Sequence, residues 1–73
     1  MTPETPFLIE MVRAKMPFGK YKGRLIATLP TYYLEYFARE GFPEGVLGQY
    51  LSTMYEIRLN GLEYLIRPLM PRD

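Results

Sequence analysis

Residues 18–24 read FGKYKGR, a run that places two lysines around a tyrosine, a glycine on either side and an arginine after them. Ammonium and guanidinium groups neutralise phosphates, and an exposed phenol ring is a face on which a base stacks, at about 1–3 kcal/mol per base. Glycines let a ligand approach the backbone. These types at this spacing point to Lys20, Tyr21, Lys22 and Arg24 as a grip on single-stranded nucleic acid, with Arg13 and Lys15 adding long-range attraction. The same residues also make a soluble hairpin, in which lysines guard the strand edges and the tyrosine packs on a helix. All five cations share one patch only if the hairpin folds back beside the end of the first helix.

The charge pattern isolates this segment. The net charge is +1, yet no acid stands between Glu10 and Glu35, a window that holds Arg13, Lys15, Lys20, Lys22 and Arg24. Outside it four arginines face eight acids. A near-neutral chain therefore carries one basic stretch, and polyanions are its natural target.

Other chemistry is thinly supplied. The chain has no cysteine and no histidine, which removes disulfides, the usual zinc ligands, the commonest general base and the thiol nucleophile. The acids are seven glutamates and Asp73; Glu56 and Glu63 flank Asn60-Gly61, but a two-metal centre needs more converging carboxylates than that. GFPEGVLG at 41–48 has the glycines of a phosphate loop without its lysine or hydroxyl residue, so it reads as a packing motif at a helix start. The expectation is a non-enzymatic protein with no metal and no cofactor.

The elements that position these residues follow from periodicity and punctuation. Thr5-Pro6 opens a helix with Phe7, Leu8, Met11 and Val12 on one face, ending near Ala14 before Met16-Pro17. Residues 18–21 and 24–27 pair as a short hairpin about a Lys22-Gly23 turn. Pro30-Thr31 opens a second helix, with Tyr33, Leu34, Phe37 and Ala38 inward, which stops at Gly41. A long helix over 44–59 carries Leu47, Tyr50, Leu51, Met54 and Ile57 or Arg58 at helical spacing. In it, Gly45 and Gly48 weaken the first turn and leave room for another backbone. A short helical segment over 62–67 precedes Pro68, and residues 1–4 and 70–73 are expected to fray. The fold class is α+β, a single domain over 1–73: helix, hairpin, helix, long helix, short helix.

Seventy-three residues bury about 60% of their unfolded surface, so the core is small. Seven tyrosines, four phenylalanines and five methionines exceed what it can hold. Some should therefore face a second copy or a protein partner, and Tyr36, Tyr50 and Met54 are the residues placed at that homodimer interface. No run is long enough to span a membrane and the first residues lack a secretory signal, so a cytoplasmic location is expected.

The motifs MPFGKYKGR at 16–24, GFPEGVLG at 41–48 and YEIRLNGLEYL at 55–65 resemble a small bacterial family of unknown function, the putative quorum-sensing-regulated virulence factors. That resemblance runs from about Leu8 to Leu69 and implies a regulatory association. Residues 18–34 are also similar to C-terminal modules of exonucleases related to exodeoxyribonuclease X. This second resemblance implies a nucleic-acid role for Lys20, Tyr21, Lys22 and Arg24 and transfers no catalytic residue.

Overall fold

The structure, a computed structural model, describes residues 5–71. The fraying expected of residues 1–4, 72 and 73, and the tail carboxylate of Asp73, lie outside the described residues. Three α-helices form the domain: α1 (Thr5–Arg13), α2 (Thr31–Glu40) and α3 (Gly45–Leu59). Single 3-10 turns cover Ile26–Thr28, Glu63–Leu65 and Arg67–Leu69. The segment expected as one short helix at 62–67 is thus two 3-10 turns, and Pro68 lies inside the second.

Among the described residues there is no strand, so the α+β reading is corrected to an all-helical domain. Residues 18–21 and 24–27 do not pair with each other. Their amides are taken by turns: Lys22 N–H donates to the Gly19 carbonyl at 3.2 Å and Arg24 N–H to Tyr21 at 3.0 Å. Thr28 N–H then donates to Leu25 at 3.0 Å, which winds the expected second strand into a 3-10 turn. The outer bonds run further back, from Met16 N–H to Arg24 at 2.8 Å and from Ile26 N–H to Ala14 at 3.0 Å. They make one isolated antiparallel bridge, Lys15 to Leu25. Positive φ at Gly19 (+79°) and Gly23 (+87°) bends the chain twice in five residues, which leaves no straight stretch for a ladder. The result is a loop closed at its neck.

The helices follow their apolar stripes. Met11 and Val12 of α1, Leu34 and Phe37 of α2, and Leu51, Met54 and Ile57 of α3 meet Met16, Ile26, Ala27, Leu29 and Ile66 in one core. Ala38, placed inward by the periodicity, is exposed. α2 packs along α3, while α1 packs on the Ile26–Thr28 and Arg67–Leu69 turns. Gly48 is buried in the first turns of α3, and a Cβ there would drive into the Pro43 carbonyl. The expected close backbone approach is therefore found at Gly48, made by the chain's own connector; a Cβ at Gly45 would meet open space. α3 ends in a Schellman arrangement, with Leu62 N–H donating to the Ile57 carbonyl at 2.9 Å and Gly61 N–H to Arg58 at 3.3 Å.

Candidate nucleic-acid interface

The neck bridge sets the basic residues in place. Lys15 pairs with Leu25, so the loop returns beside the end of α1, the arrangement in which Arg13 and Lys15 join the loop cations. Arg13, Lys15, Lys20, Lys22 and Arg24 are all exposed. From its neck the loop reaches the first turns of α2, where Tyr32, Tyr33 and Tyr36 stand.

There Tyr21 departs from the role expected of it. It is half-buried, its ring edge-on to Tyr33 at 4.7 Å and to Tyr32 at 6.4 Å between centroids. Its hydroxyl is hydrogen-bonded to that of Tyr32. Lys20 Nζ donates to the Tyr32 hydroxyl at 3.4 Å and lies 5.5 Å and 5.9 Å from the ring centroids of Tyr21 and Tyr32. The Arg24 guanidinium lies 5.5 Å from the Tyr21 ring and donates to the Thr28 carbonyl at 2.8 Å and its Oγ1 at 3.3 Å. Tyr21 is thus the post on which the loop's cations are hung. The rings open to solvent are Tyr32 and Tyr36, 55% and 47% exposed.

The hydroxyl pair has a marked electrostatic asymmetry. Tyr32 is held below the ordinary phenol range, first by its hydrogen bond with the Tyr21 hydroxyl and then by the Lys20 ammonium. Tyr21 is pushed up, first by the same hydrogen bond and then by partial burial. Lys20 is also raised, chiefly by its hydrogen bond to Tyr32 and then by the neighbouring Tyr21 phenol.

Beside this cluster α2 carries an open groove of about 300 Å³ lined by Tyr32, Tyr33, Glu35, Tyr36 and Arg39. The Tyr33 and Tyr36 rings are close to parallel, 12° apart, with centroids separated by 6.5 Å. Arg39 and Glu35 are exposed. Periodicity places these residues on α2, but which of them border a groove depends on how the loop packs there.

Arg58, an alternative with Ile57 on the stripe of the long helix, has partners that the sequence reading did not give it. Half-buried on α3, it donates to the Ala27 carbonyl at 3.0 Å and to Thr31 Oγ1 at 3.1 Å, tying α3 to the start of α2. Burial lowers its pKa, Glu63 acts to raise it and Arg24 adds to the lowering. Its signal was an arginine at a position continuing the apolar stripe of the long helix.

The residues expected at a homodimer face do not form one exposed set. Met54 is 1% exposed and belongs to the core, and Tyr50 is half-buried with its ring 5.3 Å from Phe7. Tyr36 alone of the three is exposed. Large exposed apolar residues are instead spread along the described residues, from Phe18, Tyr32 and Tyr36 to Val46, Leu59, Tyr64 and Leu65. Among the described residues no three acidic side chains come together to hold a metal ion. Among the described residues no helix is long and apolar enough to cross a membrane.

These features define a small helical domain with a neck-closed basic loop docked on helix tyrosines. The chain belongs to the family described as putative quorum-sensing-regulated virulence factor, whose model matches residues 4–69. It is similar to "Uncharacterized protein YpeB" of Escherichia coli strain K12, 48% identical over 63 residues that cover 85% of this chain and 88% of that protein. The protein of the same title from E. coli O157:H7 gives the same figures. No solved structure matches the chain.

Proposed function

We propose that this domain binds single-stranded nucleic acid without catalysing a reaction on it, and that it does so in the cytoplasm. The observation that carries the reading is the exposed Tyr32 ring with the Lys20 ammonium 5.9 Å from its centroid, on a helix that also exposes Tyr36. A stacking face flanked by positive charge suits a strand whose bases are splayed, because each base has a π-face and each phosphate a charge. Arg24 is committed to Thr28 and Tyr21, so its part is to hold the loop. Arg13 and Lys15, at the loop's neck, supply attraction at longer range.

Fluorescence anisotropy of a labelled oligo-dT tests this. Four phosphate contacts give a log–log salt slope of about −3 on a single strand, a loss of roughly 50-fold between 50 and 200 mM salt. Lys20→Ala/Lys22→Ala should flatten that slope by about 1 to 1.5. A fully salt-insensitive signal, or equal binding by the double variant, would remove the proposal.

A further inference from the structure

We propose that the α2 groove seats one unpaired guanine of the bound strand, an inference that rests on the reading above and narrows it. Three observations converge on the groove. Its volume, about 300 Å³, is open to solvent, as an extruded base requires. Tyr33 and Tyr36 border it as near-parallel rings with centroids 6.5 Å apart. Each ring offers a face on which a planar base stacks, and the two faces lie within 12° of one another.

The polar rim selects which ring. Glu35 and Arg39, one turn apart on α2, both line the groove. An ionised carboxylate only accepts hydrogen bonds, and a guanidinium only donates them. Guanine presents two adjacent donors, N1–H and N2–H₂, followed around its edge by two acceptors, O6 and N7. A carboxylate beside a guanidinium is the complement of that order. Adenine and thymine lack the paired donors, and cytosine offers a single amino group. In the seated base, N1–H and N2–H₂ donate to Glu35 while Arg39 donates to O6 and N7.

The test uses labelled dT octamers with a single central dG, inosine, dA or dC, measured by anisotropy at 50 mM salt. The dG octamer should bind about tenfold more tightly than the dA octamer, with inosine, which lacks the N2 amine, between them. Glu35→Gln should bring the dG octamer to the dA level, with the helical circular dichroism signal unchanged. Salt-sensitive binding with equal affinity for all four octamers would overturn the guanine seat alone. A dG preference that survives Glu35→Gln would overturn the assignment of Glu35. Absence of binding to any octamer would overturn both this inference and the function it rests on.

Discussion

Tyr21 and Tyr32 are chemically identical side chains that the fold makes unequal. A phenol ordinarily titrates near pH 10. Tyr32, hydrogen-bonded to the Tyr21 hydroxyl and facing Lys20, gives up its proton below that, while Tyr21 holds its own above it. The depressed value at Tyr32 favours the folded state only in alkali: the contribution is complete above the unfolded value near 10 and fades as pH falls through the folded value, so neutral stability does not feel it. An alkaline titration followed by tyrosinate absorbance should therefore show an early step that moves upward in Tyr21→Phe and in Lys20→Ala. An early step unchanged in both would mean that the hydroxyls do not share a proton. The exposure of Lys20 and Lys22 was legible in the sequence, because their charge alone keeps them in water. The work of Tyr21 was not, since which of several neighbouring rings is covered depends on contacts eleven and twelve residues away. The partners of Arg58 were hidden for the same reason, lying 27 and 31 residues back.

The three α-helices could be read almost to the residue, because each carries an apolar stripe and a stop. Gly41 closes α2 and Asn60-Gly61 closes α3, as glycine and proline punctuation leads one to expect. The hairpin could not be read correctly. Two short runs around a glycine turn look like strands, but periodicity says nothing of where their amides go, and here they go to turns and to residues 14 and 16. The close contact at α3 offers a direct check on element packing. Gly48→Ala should lower stability by about 1–3 kcal/mol, since the added methyl meets the Pro43 backbone and no flexible side chain can yield. A urea midpoint equal to that of the parent protein would show that the connector shifts freely.

A domain of 73 residues has a total stability of about 4–11 kcal/mol, and much of it must come from the twelve buried apolar residues. The excess of aromatics over core volume was visible in composition, but the residues left outside were misassigned: Met54 is inside, while Leu59, Tyr64 and Leu65 are out. Met54→Ala should accordingly cost about 2–5 kcal/mol through a core cavity, read as a lower melting temperature. Loss of association without loss of melting temperature would instead place Met54 at a surface. Because the chain enters and leaves the loop side by side at the Lys15–Leu25 bridge, an exposed tip position such as Lys22 can change in chemistry without moving the neck, whereas Tyr21 is tied to α2. Each doubling of a flexible loop costs only about 0.6 kcal/mol. The neck thus separates what the loop presents from the helical frame that carries it.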